Sequence, residues 1–550
     1  MNARPERLGG RARDAVEAAA YAALTQEPHP EAVVLSGDTY ETPSGRSDAD
    51  PVRFDEDEPA TVHVSGEALP AHTTGRLAVN AVAGGAANFL KIGIQLVMLP
   101  LMAHLLGPTE FGLYALALPT VAFFMALADG GLGASLARES ESATVVWSTA
   151  FWLLLAVGVA LAAIVSGWGV VLAILAHEPA VSGLMSFLSP SFILITAAVL
   201  PSARLTRQGR LVVFAGADLS SAIVGAVVAV TLAAAGWGAK SLAAQYVTSY
   251  LVRAVILNAV AFVRPTLEFK LSSLRHHLST GSSLLASRLS DFAGRLMENL
   301  FYGRSFGAAA LGLYTFANQA PRFVCEAASG PIWGALYAHA LREDEERVAA
   351  LHVKLVRLLA SVVFPVAFLL SATAPEIFSF ILGSKWNAAS TLLRILIPFY
   401  ALHVVAAQSG AIFLAKGRGW LLFWLTFILT AARVCAVFLG PLVGQIGVAY
   451  GIGVAEALYA VLMFGAPSWN KGSSPAPMLK GLVAPILSGA LAAVYCYWVV
   501  HLRAPSPASV ALGVIGGTCA YLALMLLLQR KALLNDLDVI RRMLLRARVR

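Results

Sequence analysis

From Ala78 to the neighbourhood of Leu528 the chain is a succession of apolar runs of about 20 residues, interrupted by Gly, Pro or charge. A bilayer core offers backbone amides no water, so a run of that length closes its hydrogen bonds within itself as a helix. The runs begin near Ala78, Glu110, Thr144, Gly183, Leu211, Ser241, Gly281, Ala308, Leu351, Ala389, Trp420, Gly444, Pro477 and Pro507. They predict an all-α integral membrane protein of about 14 transmembrane helices, in a range of 12 to 14. With 58% hydrophobic and 13% charged residues, little chain remains for a soluble catalytic domain.

The runs also repeat. Residues 105–117 (LLGPTEFGLYALA) and 305–317 (SFGAAALGLYTFA) align without a gap at an offset of 200 and share Gly107/Gly307, Gly112/Gly312, Leu113/Leu313, Tyr114/Tyr314 and Ala117/Ala317. In a membrane chain, a repeat of this size is a recurrent way to build a transporter with its binding site between two halves. The expected organisation is a tail over residues 1–75, a six-helix lobe over 76–263, a connecting loop over 264–280, a second six-helix lobe over 281–466, two extra helices over 477–528 and a basic amphipathic tail over 529–550.

Each half opens with a polar stripe. Asn80, Gly84, Asn88, Lys91 and Gln95 recur at spacings of 3 and 4, which keeps them on one helix face. At the same offset of 200, Asn88, Lys91 and Gln95 correspond to Arg288, Asp291 and Arg295, and Glu298 extends that line. A charge in hydrocarbon costs about 2.5 to 3.5 kcal/mol, so such residues face a partner or a wet cavity. Three readings compete: Arg288 with Asp291 and Arg295 with Glu298 neutralise one another along the helix, the stripe lines a hydrated central cavity, or it bridges to other helices inside one lobe.

The candidate cavity set is Lys91, Arg288, Arg295, Asn88, Gln95, Asp291, Glu298 and Arg322. The forked guanidinium and the compact ammonium both suit phosphate oxygens, so a cavity with Lys91 facing Arg288 and Arg295 is shaped for a pyrophosphate. Asp129, Asp218 and Glu456 are candidate proton or sodium sites, and Arg253 and Arg433 are further charges within apolar runs. The four cysteines, Cys325, Cys435, Cys496 and Cys519, have no metal or disulfide spacing, and no cofactor is expected.

Charge sets the expected orientation. Arg138, Arg204, Arg207, Arg210, Arg264, Lys270, Arg275, Arg342, Arg347, Lys416, Arg418, Lys471 and Lys480 fall on the N-terminal side of the membrane, against Lys240, Arg304, Lys385 and Arg503 on the other. By the positive-inside rule both termini are cytoplasmic. Trp168, Trp237 and Trp386 suit an outer aromatic belt, and Trp147, Trp420 and Trp469 an inner one. The first 75 residues carry 14 acidic residues against 6 arginines and are expected to be disordered. No signal peptide is read there. From Arg76 onward there are 34 basic and 18 acidic residues, a surplus that suits inner loops and lipid headgroups, not nucleic acid.

The segment LLGPTEFGLYALA, followed by LADGGLGASLAR (residues 127–138), resembles the first helices of Wzx-type polysaccharide flippases of the multidrug/oligosaccharidyl-lipid/polysaccharide exporter superfamily. The resemblance runs from about Arg76 to Ala466 and includes the turn Arg207 to Arg210 and its counterpart Lys416 to Arg418. It implies two six-helix lobes forming a V, extra C-terminal helices, residence in the bacterial inner membrane and alternating-access transport of an undecaprenyl-pyrophosphate-linked oligosaccharide. That transport serves exopolysaccharide, capsule or lipopolysaccharide assembly. The implied partners are that substrate, membrane lipids, a coupling proton or sodium ion, and polysaccharide polymerase and export machinery. A drug/ion antiporter of the same superfamily is the alternative, favouring an apolar or acidic cavity. A membrane-embedded glycan-processing enzyme is the other; its catalytic candidates at membrane surfaces, Glu110, His177, Glu178, Glu376 and His501, are isolated ones.

Overall fold

The computed structural model describes residues 71–129, 132–137, 139, 143–465, 476–502 and 505–548. The acidic segment falls outside the described residues except at its last few positions. The described residues form helices and no strand. The first half comprises α1 (Ala71–Asp129), α2 (Leu132–Leu136), α3 (Thr144–Ala176), α4 (Ala180–Leu188), α5 (Ser191–Arg207), α6 (Leu211–Ala234) and α7 (Ala239–Ala261). The second comprises α8 (Arg275–Ala340), α9 (Glu345–Ile381), α10 (Asn387–Ala407), α11 (Ser409–Ala415), α12 (Gly419–Phe438) and α13 (Gly440–Gly465). Two more helices follow, α14 (Ala476–Leu502) and α15 (Pro507–Arg548). Ten helical segments among the described residues are long and apolar enough to cross a membrane.

The duplication is visible in the backbone. The 59-residue α1 and 66-residue α8 are each two helical arms joined at a glycine: Gly107 has φ 77° and ψ 171°, Gly307 φ 84° and ψ 168°. Positive φ with extended ψ is a conformation that residues with a side chain rarely adopt, which is why both copies keep glycine at the bend. Corresponding caps end α5 and α11. At Gly209 (φ 64°) the Arg210 N–H donates to Leu205 O at 3.0 Å; at Gly417 (φ 72°) the Arg418 N–H donates to Phe413 O at 2.7 Å. These bonds satisfy carbonyls that the helix ends leave free.

The two halves meet near the bends. Around Gly112 and Gly312, α1 and α8 pack so closely that a Cβ on Gly112 would fall on the Ala308 carbonyl oxygen, and one on Gly312 on that of Pro108. The contact is thus reciprocal at the offset of 200. Phe111, Phe316 and Trp386 close over it with ring centroids 4.9 to 6.0 Å apart, and the buried Trp386 indole donates to Ala103 O at 3.1 Å. Polar groups complete the seam: Asn299 Nδ2 donates to Ala115 O at 2.7 Å and Arg304 Nη1 to Leu175 O at 2.9 Å. Glu178 accepts from the Ala308 N–H at 3.3 Å.

The basic connections gather at the opposite helix ends. Arg207 donates to Glu139 O, Arg204 to Phe262 O at 3.1 Å, and Lys416 Nζ to Glu343 O at 3.1 Å. The segment between α7 and α8 is tied to the first half by Ser148 and Trp152, both donating to Thr266 O, and by the Lys270 N–H on Thr149 Oγ1. Helix α14 packs on α9, and α15 packs on both, with the Tyr521 hydroxyl donating to Ser361 O at 2.7 Å.

Two tryptophans expected in lipid-facing belts are instead buried. Trp386 is 1% and Trp147 4% exposed, one in the seam between halves and the other in a cluster with Leu132, Leu136 and Leu274. An indole serves a protein interior as well as an interface when its N–H finds a carbonyl, as that of Trp386 does. Trp237 and Trp420 are exposed.

Candidate functional site

The polar stripes lie on the first arms of α1 and α8, ahead of the bends. At 1.5 Å per residue Lys91 stands about 24 Å from Gly107 and Arg295 about 18 Å from Gly307, so Lys91 lies about one helical turn farther from its bend. Lys91 and Arg295 are half-buried and Gln95 is exposed. The backbone at Asn88, Arg288, Asp291, Arg322 and Asp129 is helical, and their side chains lie outside the described residues.

Glu298 belongs to a buried charge cluster within the second half. Arg433 on α12 grips its carboxylate with two parallel bonds, Nε to Oε2 and Nη2 to Oε1, both 2.9 Å. Tyr314, from the second arm of α8, donates its hydroxyl to the same carboxylate. The third guanidinium nitrogen of Arg433 reaches Glu456 Oε1 on α13 at 2.5 Å, and His403 Nδ1 on α10 stands 2.7 Å from Glu456 Oε2. Glu298 and Glu456 are 6% and 2% exposed. The His403 ring is stacked between Tyr400 and Tyr459, at 5.6 and 4.8 Å between centroids. Three helices, α8, α12 and α13, are joined by one chain of charge-assisted hydrogen bonds, which a low-dielectric interior strengthens, and His403 brings α10 against its Glu456 end.

The spacing of three places Arg295 and Glu298 on one face, and Glu298 also bridges to another helix: both its oxygens are held by Arg433, 135 residues away, and one of them by Tyr314 as well. Glu298 is therefore built into the interior of one half. Arg433 and His403 were not among the candidate site residues. The sequence marks the cluster's members singly, Glu298, Glu456 and Arg433 as charges in apolar runs and Tyr314 in the repeated Gly-Leu-Tyr motif, without saying that they meet.

Among the described residues the first half does not reproduce the cluster; an ion pair there joins α6 to α7, with Arg253 Nε 3.1 Å from Asp218 Oδ1 and the guanidinium 4.9 Å from the centre of the Phe214 ring. Around Tyr114 the chemistry is neutral: the Tyr246 and Tyr250 hydroxyls approach Met125 Sδ at 2.9 and 3.3 Å. Of the three carboxylates read as ion sites, Asp218 and Glu456 each hold an arginine. The surface acids read as isolated are structural here as well. Glu110 accepts from the Ala239 N–H at 2.7 Å and so caps α7, and Glu178 accepts from Ala308 at the seam. Glu376 and His501 stand 3.8 Å apart between α9 and α14.

Residues 101–391 match the polysaccharide biosynthesis protein family. The chain is 26% identical over 464 residues to the succinoglycan biosynthesis transport protein ExoT of Rhizobium meliloti (strain 1021), covering 82% of this chain and 92% of that protein. It is 23% identical to the lipopolysaccharide biosynthesis protein WzxC of Escherichia coli (strain K12), covering 69% and 78%. Among solved structures, the lipid II flippase MurJ in an inward closed conformation superposes with a TM-score of 0.65 at 14% identity, over 82% of this chain and 99% of that one. An inward-facing multidrug resistance MATE family transporter superposes at 0.56, over 72% and 94%. The fold is that of these transporters.

Proposed function

Because the chain belongs to the polysaccharide biosynthesis protein family, we propose that it is a flippase carrying an undecaprenyl-pyrophosphate-linked oligosaccharide across the bacterial inner membrane, for exopolysaccharide, capsule or lipopolysaccharide assembly. The observation that carries the reading is the paired architecture: two homologous halves, each opening on a polar stripe, joined reciprocally at Gly112 and Gly312. The physical task is to shelter a headgroup. A glycan with a pyrophosphate does not enter hydrocarbon unaided, whereas its polyprenyl tail stays in lipid.

On this reading the stripes face one another across a hydrated space. Lys91, Arg288, Arg295 and Arg322 meet the pyrophosphate, while Asn88, Gln95 and Asp291 offer hydrogen bonds to sugar hydroxyls. Glu298 shapes that wall from within by holding Arg433. Rocking of one half against the other exposes the space to each side in turn. Counting α1 and α8 as two crossings each and α7 as one brings the ten apolar segments to fourteen. The basic ends are then cytoplasmic, with both termini. Glu456, which has His403 2.7 Å away, Asp129 and Asp218 are the candidates for proton or sodium coupling. The chain acts as a transporter, not an enzyme, with the polymerase and export machinery receiving its product.

The test is a deletion strain. Loss of surface polysaccharide with accumulation of the finished lipid-linked oligosaccharide on the cytoplasmic leaflet is expected. A strain that fails to make that precursor would instead place the protein in synthesis and overturn the flippase reading.

A further inference from the structure

Away from the stripes, the structure holds a cleft of about 510 Å³ between α9, α10 and α13, lined by Ser371, Thr391, Arg394, Pro398, Ile446 and Tyr450 among others. Its surroundings say what it faces. On α13, Val443, Ile446, Tyr450, Val454, Leu458 and Val461 recur at spacings of 3 and 4 and are all 45% exposed or more, against a buried opposite face bearing Ile452, Glu456 and Tyr459. A continuous exposed stripe of Val, Ile and Leu is made for hydrocarbon, so the cleft, which shares Ile446 and Tyr450 with it, opens toward lipid and not toward the seam between halves.

Within that apolar surround sits a cation. Arg394 is exposed, and its guanidinium has no acidic partner and no hydrogen bond among the described residues; only its backbone carbonyl is used, by Ser371 Oγ at 3.1 Å. It lies seven residues into α10, about 10 Å from the Asn387 end. Side chains on a helix lean toward its N-terminus, so the long apolar stem of Arg394 carries the guanidinium back toward the membrane surface at that end. The Thr391 hydroxyl stands one turn nearer the same end, and the cleft admits Tyr450 from the facing helix.

We infer that this cleft is a binding site for an anionic glycerophospholipid of the leaflet at the Asn387 end, with Arg394 on the headgroup phosphate and an acyl chain along the α13 stripe. A forked donor at headgroup depth satisfies a phosphate with two bonds, while the apolar stripe below it satisfies the chain. The inference stands whatever the protein transports, because Arg394 belongs to neither polar stripe.

Native mass spectrometry of the purified full-length protein, titrated separately with phosphatidylglycerol and with undecaprenyl pyrophosphate, tests it. Arg394→Gln is expected to weaken binding of the first phosphatidylglycerol about five- to tenfold and to leave undecaprenyl pyrophosphate binding unchanged. Thr391→Asp, an exposed change that puts a negative charge in the cleft, should weaken phosphatidylglycerol similarly. Arg347→Gln, on the exposed surface, should not. Equal phosphatidylglycerol binding by wild type and both cleft variants overturns the site. A larger loss for undecaprenyl pyrophosphate than for phosphatidylglycerol overturns the assignment to a bilayer lipid in favour of the transported one.

Discussion

Arg433 neutralises two carboxylates at once, so its removal leaves Glu298 and Glu456 buried without a counter-charge. Breaking such a group from one side costs about 3 to 5 kcal/mol. Arg433→Ala is therefore expected to lower thermal stability and membrane abundance sharply, and the triple change Arg433→Met, Glu298→Gln, Glu456→Gln to recover most of both, measured by fluorescence-detected gel filtration. Recovered abundance without recovered polysaccharide export would mean that the cluster serves transport as well as folding. Lys91 and Arg295 make the contrasting case. On the proposed function each Ala variant should keep near wild-type protein levels while export falls, since it would remove a charge meant for the phosphate but little packing. Normal export by both normally expressed variants would remove the cationic cavity from the mechanism.

Among the elements, α1 and α8 carry the architecture, because each bends at a glycine and each presses a second glycine against the other's backbone. Gly312→Val would drive two methyl groups into the Pro108 carbonyl, and overpacking of that kind costs about 1 to 3 kcal/mol or more. The expected outcome is a lower melting temperature together with lower membrane abundance. A variant that retains both would show that the halves are held together elsewhere. Gly307→Ala tests the bend by itself: the side chain meets open space, so the loss, of about 1 to 2 kcal/mol, would come from the backbone conformation alone.

Over the whole molecule, the two ends differ in chemistry. One gathers the basic connections, Arg204, Arg207, Lys270 and Lys416, and the other holds the glycine bends and the aromatic seam. Impermeant thiol reagents should reach a cysteine at Leu267, 92% exposed in the segment between α7 and α8, only in inverted vesicles. Labelling from intact cells would reverse the orientation. Removal of the acidic residues up to Ala71 is expected to leave insertion and stability unchanged, because that stretch lacks apolar periodicity. Loss of the folded protein on truncation would show that it packs on the membrane portion.

The membrane-spanning helices and the duplication were legible in the sequence because both are local properties. Apolar run length forces the backbone to bond within itself in lipid, and the shared Gly-Leu-Tyr segment marks equivalent places in two copies. The spacing of Asn88, Lys91 and Gln95 likewise fixes a common helix face without reference to anything else. Which charge meets which was decided by the tertiary structure. A spacing of three says that Arg295 and Glu298 share a face, but it cannot say that α12 brings Arg433 within 2.9 Å of that carboxylate, or that α13 and α10 add Glu456 and His403. The same holds for Trp386, which by composition suits an interface and by packing closes the seam between halves. In each case the partner is supplied by the lateral approach of helices far apart in the chain, as at the seam, where small residues such as Gly112 and Gly312 let two backbones touch.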